Sequence, residues 1–220
     1  MNFKSPIILG SESPRRRALL SWITSDFQAE SIEVNEEYPE HLPCYAVAPY
    51  LAKKKAAAYR ELFKNKLIIT ADTTVIVDNT ILGKPESYDH GFAMLKSLSG
   101  RSHSVNTSVQ VSSKKEDKTI SEFTTVYFPK LEDDLITDYL NRFHPFDKAG
   151  AYGIQECTKD ATTLYSDEEL SFLAKSGQKK YANSQGELKP SFIISTIEGS
   201  FFNVVGFPIV KVAKVLSEFL

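Results

Sequence analysis

Hydrophobic and polar positions alternate in a regular way from the first residues of this chain. An apolar run at residues 7–9 ends at Gly10, passes through a polar stretch and continues into the spaced apolar residues 18–20. This order predicts a strand, a turn and a helix. Ser13 is a good N-cap, and Pro14 suits the first helical position because its missing N–H costs nothing there. We therefore expect a helix to begin at Pro14.

The alternation of strand-like and helix-like segments continues along the chain. Period-two or β-branched segments predict strands at residues 27–34, 67–78, 81–85, 105–111, 120–128 and 197–208. Helical spacing predicts helices at residues 46–63, 90–98, 132–143 and 209–220. Turn residues at 79–80 and 112–118 predict two hairpins. The pattern therefore predicts an α/β fold.

Residues 156–190 interrupt this pattern. The segment is polar, and its one helix-like patch lies near residues 168–174. Loops above about 12–15 residues are uncommon inside compact domains and are often functional or disordered. We interpret the segment as an insertion within one domain that spans residues 1–220, and we favour an inert surface loop over a lid or a partner-binding arm.

Composition and charge restrict the class of protein. With 42% hydrophobic and 25% charged residues among 220, the chain resembles an ordinary globular protein with a substantial core. The net charge of −2 argues against nucleic acid as a partner. Cys44 and Cys157 lack the spacing of a zinc site or a disulfide framework, which indicates free thiols. No segment approaches the ~20 apolar residues that span a bilayer. We expect a cytoplasmic protein with no membrane partner.

The predicted helix start is the first candidate for chemistry. A helix N-terminus offers free N–H donors and a partial positive charge. The hydroxyls of Ser11 and Ser13 lie there in the sequence, together with Arg15, Arg16 and Arg17. These groups favour an anion such as phosphate. The alternative is a capped surface helix whose arginines are solvated.

Asp72 lies inside an otherwise apolar strand-like run. Burial of a carboxylate costs several kcal/mol unless it is paired, hydrogen-bonded or bound to a metal. One interpretation is a general base or a ligand of Mg²⁺, which prefers oxygen ligands, near a phosphate. The other is an Asp at a strand kink that bonds to neighbouring backbone groups.

Charged side chains elsewhere can extend such a site. Lys84 follows the first hairpin turn and can return close to Asp72, although Gly-Lys-Pro is also ordinary turn chemistry. Consecutive helical residues point about 100° apart, so at most two of the lysines at 53–55 face a site. One carboxylate of the acidic loop, Glu36, Glu37 or Glu40, can complete a metal site with Asp72; otherwise the loop is only solvated.

A turn rich in Gly and Ala occupies residues 147–155. Small residues allow the backbone to approach a ligand closely. Tyr152 can pack beside a nucleobase, and the Gln155 amide can both donate to and accept from a base edge. A plain tight turn would also explain the glycines.

Several motifs occur in an order that resembles the Maf family of nucleoside triphosphate pyrophosphatases. They are Leu-Gly-Ser-Glu-Ser-Pro-Arg-Arg at 9–16, Ala-Asp-Thr at 71–73, Gly-Lys-Pro at 83–85, Leu-Ser-Gly-Arg-Ser-His at 98–103, and the segments 147–155 and 203–208. The resemblance implies a mixed twisted sheet with flanking helices and two lobes around a central nucleotide cleft, related in fold to the inosine triphosphate pyrophosphatases. It also implies cleavage between the α- and β-phosphates of a nucleotide, and suggests a homodimer.

The resemblance further implies a role for each matching residue. Asp72 would be the base that activates water, and Glu36 would help it to hold a divalent metal, Mg²⁺ or alternatively Mn²⁺ or Co²⁺. We prefer Glu36 to Glu37 because the spacing from the Ser-Pro-Arg motif is unbroken and Val34 fills the apolar position two residues earlier. The triphosphate would be bound by Ser11, Ser13, Arg16, Lys55 and Lys84.

Three positions resemble the branch of the family that acts on dTTP and UTP. These are Arg15, Thr73 and Gln155, where the branch that prefers 7-methyl-GTP has Trp, Gln and Glu. An amide can satisfy both the N3–H and a carbonyl of uracil or thymine, whereas a carboxylate suits guanine. The alternatives are 5-modified pyrimidine nucleotides as the true substrates, the same chemistry on another base, such as 7-methyl-GTP, and a nucleotide-sensing regulator of cell division that does not turn the nucleotide over.

The chain departs from the family after Gln155. The family usually has Gly at the next position, where this chain has Glu156, and its connection to the following strand is much shorter than the 42 residues from Gln155 to Ile197. We therefore expect an altered rim beside the predicted base-binding residue.

Overall fold

A computed structural model describes residue 3 and residues 5–157, 161–178 and 193–220. Within these ranges the strands are β1 (Ile7–Gly10), β2 (Phe27–Glu30), β3 (Leu67–Val77), β4 (Thr80–Leu82), β5 (Ser102–Ser112), β6 (Asp117–Tyr127) and β7 (Thr196–Glu198). The α-helices are α1 (Pro14–Ser21), α2 (Cys44–Leu62), α3 (Tyr88–Leu98), α4 (Asp133–Phe143), α5 (Asp167–Ser176), α6 (Phe201–Val205) and α7 (Ile209–Leu216). Short 3₁₀ helices occupy Ala149–Ala151, Ile154–Glu156, Ala161–Leu164 and Ser217–Phe219. The predicted α/β class is confirmed.

The described strands form one mixed sheet. Its order is β2-β1-β3-β5-β6-β7, and β4 pairs with β3. β1 runs parallel to β2 and β3, whereas β4 is antiparallel to β3 and β7 is antiparallel to β6. The first predicted hairpin is present, with Val75 opposite Leu82. A central mixed sheet with flanking helices is the architecture that the family resemblance implies.

Contacts between Cα atoms divide the chain into two compact units. The first comprises Met1–Thr73, Asn106–Glu122 and Gly206–Leu220, and the second comprises Thr74–Val105 and Phe123–Val205. The boundary therefore falls inside β3, β5 and β6. The expectation of a single domain over residues 1–220 stays a prediction.

The core of the first unit joins α2 to β1 and β3. Ile8, Ala56, Tyr59 and Ile68 form one buried cluster. The hydroxyl of Tyr59 donates to the Glu30 carbonyl at 2.8 Å and accepts from the Ile32 amide at 3.1 Å. These two bonds tie the chain segment after β2 to α2, and that segment leads to the acidic loop.

The core of the second unit is built on α3, α4 and α6. Leu95 and Leu98 of α3 are fully buried, as are Ile136 and Leu140 of α4. Both helices have the three-to-four-residue spacing of apolar positions that buries one helix face. Within the described residues, no helix is long and apolar enough to cross a membrane.

The prediction of a strand at residues 197–208 is wrong for most of its length. β7 ends at Glu198, and α6 occupies Phe201–Val205. The Ser200 hydroxyl accepts from the Asn203 amide at 3.0 Å, as an N-cap does. Both phenylalanines at the start of α6 are fully buried. Tertiary packing therefore overrides the β-propensity of this aromatic and β-branched run. β2 is likewise shorter than predicted and ends at Glu30.

The predicted insertion is only partly described. Residues 158–160 and 179–190 of it lie outside the described residues. The predicted helical patch is present as α5, which begins with a capping box between Ser166 and Glu169. Glu169 and Leu173 of this helix are buried. The expectation of an inert surface loop is therefore wrong for α5, because its inner face is packed within the second unit.

Candidate functional site

The start of α1 has the predicted cap. The Ser13 hydroxyl accepts from the Arg16 amide at 3.4 Å, and the Ser13 amide donates to the Ser11 hydroxyl at 3.2 Å. The extended backbone of Ser13 turns the chain from β1 into the helix. Both predicted phosphate-binding hydroxyls thus lie at a helix N-terminus, where the helix dipole favours an anion.

The Arg16 guanidinium joins three separate segments of the first unit. Its Nε donates to the Gly206 carbonyl at 2.9 Å, and its Nη1 donates to the Ala71 carbonyl at 2.9 Å and to the Ser11 hydroxyl at 3.4 Å. Its Nη2 donates to the Thr73 hydroxyl at 3.1 Å. The planar fork of arginine suits several acceptors at fixed angles. Arg16 therefore holds the start of α1 against β3 and Gly206.

Gly206 is required for this arrangement. Its φ is +106°, and a Cβ there would lie 3.3 Å from the Thr73 hydroxyl and 3.7 Å from Arg16 Nε. A side chain would thus be strained in the backbone and crowded against the Thr73 hydroxyl, while the distance to Arg16 is an ordinary contact. The glycine lets its own carbonyl reach the guanidinium.

Thr107 belongs to the same network and is not identified by the sequence analysis. Its hydroxyl lies 2.9 Å from that of Thr73. Asn106, Thr107 and Ser108 are all fully buried on β5. A run of polar residues inside a predicted strand is the signal that could have pointed to this position.

Two carboxylates converge on the Lys55 ammonium. Its Nζ lies 2.6 Å from Asp72 Oδ1 and 2.7 Å from Glu36 Oε1. The Lys55 and Asp72 side chains are only 15% and 11% exposed, whereas that of Glu36 is 59% exposed. β3 presents Asp72, and the middle of α2 presents Lys55. The cluster is therefore buried at one end and open at the other.

Burial and charge act in opposite directions on the ionisable groups of this cluster. Burial raises the pKa of Asp72, while Lys55 and, more weakly, Arg16 lower it. Burial also lowers the pKa of Arg16, against the field of Asp72, which raises it. Asp72 is thus a carboxylate with increased affinity for a proton, held beside two cations.

The structure distinguishes two of the candidate acids of the acidic loop. Glu37 Oε2 accepts from the Asn35 side-chain amide at 2.9 Å, and the Glu37 carbonyl accepts from Lys54 Nζ at 2.8 Å. Glu36, by contrast, reaches Lys55. The lysine run behaves as the helical spacing predicts, because neighbouring lysines point to different partners.

Lys84 and Gln155 belong to the second unit. The Gly150 amide donates to the Gly83 carbonyl at 3.0 Å, which ties the Gly-Lys-Pro turn to the turn at residues 147–155. Lys84 is exposed and Gln155 is half-buried. The expectation that Lys84 returns close to Asp72 stays a prediction.

Tyr152 is part of the core. Its ring is 4% exposed, and its hydroxyl lies 2.7 Å from His103 Nε2. The rings of Tyr152, His103 and Phe128 meet edge to face. The interpretation of Tyr152 as a ring that packs beside a nucleobase is therefore wrong, because the residue is almost completely buried.

The cluster of Asp72 and Glu36 fits a divalent cation. Within the part of the chain that the structure describes, no group of three or more His, Cys, Asp or Glu side chains is placed to hold a metal. Mg²⁺, however, is commonly held by one or two carboxylates, with water and substrate phosphate as its other ligands. Two carboxylate oxygens already approach one cationic atom here, the Lys55 Nζ. The donor set therefore suits Mg²⁺ together with a phosphorylated substrate.

Comparisons with known proteins give a consistent result. The family model described as Maf-like protein matches residues 6–163. A dTTP/UTP pyrophosphatase of Porphyromonas gingivalis strain W83 is 38% identical over 220 residues, which cover 98% of this chain and 95% of that protein. One of Flavobacterium psychrophilum is 39% identical over 207 residues, covering 94% and 90%. One of Thermosipho africanus is 38% identical over 210 residues, covering 96% and 91%.

Among solved structures, the Staphylococcus aureus Ham1 protein is similar at a TM-score of 0.44 and 15% identity. The match covers 56% of this chain and 71% of that one. A likeness at this level carries no argument about function.

Proposed function

We propose, since this chain belongs to the Maf-like protein family, that it hydrolyses dTTP and UTP to the nucleoside monophosphate and pyrophosphate. Relatives named dTTP/UTP pyrophosphatase match it over nearly their whole length. The observation that carries the proposal is the buried Asp72, which pairs with Lys55 and is flanked by Ala71 and Thr73, the two residues of β3 that accept from Arg16 of α1. A proton acceptor beside an anion site is what hydrolysis of a phosphoanhydride requires.

In the proposed mechanism, Asp72 accepts a proton from the water that attacks the α-phosphorus. A new bond forms between that oxygen and phosphorus, and the bond to the bridging oxygen breaks, so that pyrophosphate leaves. Burial, which raises the pKa of Asp72, makes it a better base, while Lys55 favours its ionised form. Asp72 thus combines an increased affinity for a proton with a neighbouring cation that stabilises its carboxylate form.

The phosphate ligands are proposed from placement for Ser11 and Ser13 and from charge for the two lysines. Ser11 and Ser13 offer hydroxyls at a helix N-terminus, and Lys55 and Lys84 offer ammonium groups. Arg16 already donates to four acceptors, so we assign it the task of holding the start of α1 while its charge stabilises the triphosphate.

We propose that Asp72 and Glu36 hold a divalent metal, Mg²⁺ or alternatively Mn²⁺ or Co²⁺. When bound, the metal would neutralise phosphate charge. Glu36→Gln should raise the Mg²⁺ concentration that gives half-maximal activity, because it removes one ligand charge. Glu37→Gln is the matched control, since Glu37 bonds to Asn35 instead. Equal shifts in the two variants would contradict the assignment of Glu36.

Selectivity for the base is proposed to depend on Arg15, Thr73 and Gln155. The Gln155 amide can donate to a carbonyl of uracil or thymine and accept from its N3–H. The Thr73 hydroxyl is hydrogen-bonded to both Arg16 and Thr107, so its orientation is restricted.

The proposal is tested with purified protein, Mg²⁺ and a panel of dTTP, UTP, CTP, GTP and 7-methyl-GTP, with released pyrophosphate as the readout. We expect kcat/KM for dTTP and UTP to exceed that for the other nucleotides by about tenfold or more. Faster release from 7-methyl-GTP would replace the proposed substrate. Tight binding of nucleotide without release of pyrophosphate would favour a nucleotide-sensing regulator. A homodimer, which the family resemblance suggests, is tested separately by sedimentation velocity.

A further inference from the structure

The residue after Gln155 carries a buried carboxylate. Glu156 is 4% exposed. Its Oε2 accepts from the Tyr139 hydroxyl at 2.8 Å, and its Oε1 lies 3.4 Å from Lys148 Nζ. On the other side of Gln155, Ile154 is 1% exposed. The half-buried Gln155 thus lies in a 3₁₀ turn whose other two residues are both anchored in the core.

The anchor at Glu156 extends through the whole turn. The Tyr139 hydroxyl, which donates to Glu156, accepts from the Gly153 amide at 2.9 Å. The Cys157 thiol donates to the Gly153 carbonyl at 3.0 Å. A Cβ at Gly153 would lie 2.9 Å from Lys148 Cε and 3.0 Å from Glu156 Oε2, so the turn is packed against both side chains. One fully buried tyrosine therefore fixes the backbone before Gln155 and the side chain after it.

Burial of a carboxylate such as that of Glu156 costs free energy, because the group loses its hydration. An apolar residue would fill the same space without loss of hydration, and a buried ion pair adds little net stability. The carboxylate, however, restricts the orientation of the turn. One of its oxygens accepts from Tyr139 of α4, and the other lies near Lys148 at the start of the turn. If the turn rotates, Tyr139 loses this acceptor and Lys148 is left with the exposed Asp147, 2.8 Å from its Nζ, so the bond to Tyr139 fixes the orientation of the residue between the anchors.

We propose that Glu156 is a positioning residue that sets the orientation of the Gln155 amide toward the pyrimidine base. The proposal rests on the proposed function. Glu156 touches no reacting atom; it acts through the backbone of the turn. Its effect is therefore on the binding of the base and on the choice between bases, and it leaves the chemical step unchanged.

The test compares UTP with CTP, which differ in the groups that a Gln amide would contact. In Glu156→Ala we expect kcat/KM for UTP to fall about tenfold through KM, with kcat changed less than about twofold, because only the orienting interaction is lost. The value for CTP should change little, so the UTP-to-CTP ratio falls by the same factor. Glu156→Gln keeps an acceptor for Tyr139 and should recover most of the ratio.

Two further variants make the result specific. Asp138→Asn, which removes an exposed carboxylate from the same helix as Tyr139, should leave the ratio unchanged. Tyr139→Phe removes the hydroxyl that joins Glu156 to Gly153 and should reproduce the loss of selectivity. Melting temperatures are recorded for all variants, and Tyr139→Phe and Glu156→Gln carry the test if Glu156→Ala fails to fold.

An equal loss of kcat/KM for UTP and CTP, or an unchanged ratio in folded variants, would overturn the positioning role. Failure of the proposed function is a different result, in which the wild-type protein releases no pyrophosphate from dTTP or UTP. In that case the ratio of dissociation constants for non-hydrolysable UTP and CTP analogues tests the positioning role by the same comparison of variants.

Discussion

Asp72 places a buried carboxyl group in β3, in a run of the strand that is otherwise apolar. Ala71 beside it is fully buried, and burial raises the pKa of Asp72 itself. Because the folded pKa lies above the unfolded value, the ionised carboxylate costs stability near neutral pH, and this cost disappears as the pH falls. Residues whose pKa is shifted by burial beside a charged partner are frequent in active sites.

Replacement of Asp72 should therefore separate activity from stability. We expect Asp72→Asn to lower kcat by about 10²–10⁴-fold, as the loss of a general base does. The melting temperature of the metal-free protein should stay the same or rise, because Lys55 retains Glu36 as a partner. Pyrophosphate release and thermal melting in EDTA measure the two effects, with the exposed Asp26→Asn as control. Near-normal turnover in Asp72→Asn would refute its role as base.

His103 should make the folded state sensitive to acid. Burial lowers its pKa to about 4, below the ordinary value of 6.5. As the pH falls, the unfolded chain therefore binds a proton at His103 before the folded protein does. The stabilisation that comes from keeping His103 neutral is complete above pH 6.5 and is lost as the pH falls toward 4. Between pH 7 and pH 5 we expect a loss of about 2 kcal/mol in the free energy of unfolding.

Urea unfolding at the two pH values measures this effect. His103→Gln should remove most of the difference, because glutamine does not titrate, whereas the exposed His41→Gln should retain it. An identical pH dependence in wild type and His103→Gln would show that other groups are responsible.

At the scale of elements, one carboxylate joins α5 to α6. Glu169 is 1% exposed. Its Oε1 accepts from the Ser200 hydroxyl at 2.6 Å and from the Phe202 amide at 3.0 Å. Its Oε2 accepts from the Ser166 amide at 2.9 Å and from the Phe201 amide at 3.3 Å. The charge thus lies at the N-terminus of α6, which the helix dipole favours. The described part of the insertion therefore supports the helix that follows β7.

Loss of this contact should destabilise the protein. Glu169→Ala leaves the two buried amides of Phe201 and Phe202 without this acceptor, each worth about 1–3 kcal/mol, and we expect a total loss of about 2–6 kcal/mol. Glu169→Gln keeps one acceptor oxygen and should lose less. The neighbouring Glu168→Ala, at an exposed position, is the control. Chemical denaturation gives the free energies, and equal values for the two alanine variants would contradict the role of Glu169.

At the scale of the whole molecule, three strands belong to both compact units. The division falls inside β3, β5 and β6, so neither unit can unfold completely without disrupting strands that continue into the other. Strands lose their hydrogen bonds together rather than residue by residue. Cooperative unfolding of the whole chain is therefore expected.

The chain offers a direct measurement of this cooperativity. Trp22 is the single tryptophan and lies in the first unit, so its fluorescence reports on that unit, whereas far-UV circular dichroism reports on both. We expect the two signals to give the same midpoint in urea. Separate midpoints would show that the units unfold independently.

Local patterns in the sequence determined several secondary-structure elements of this protein and its fold class. The cap at Ser13, the strand around Asp72 and the helical period of α2 depend on neighbours a few residues away, and all three are present as predicted. The α/β class follows from the same signals, because each element depends mainly on its own pattern of apolar residues.

Only the tertiary structure decided the features that depend on distant partners. α6 is helical because Ser200 and Glu169 cap it and its aromatic residues are buried, despite a strand-like sequence. The acceptors of the Arg16 side chain lie 5 to 190 residues away in the sequence, and the contact of Glu36 with Lys55, for which the sequence spacing gave only a preference over Glu37, forms only in the folded chain. The buried position of Glu156 depends in the same way on Tyr139, 17 residues earlier. Periodicity and capping depend only on residues that are close in the sequence, whereas these interactions form only after the chain has folded.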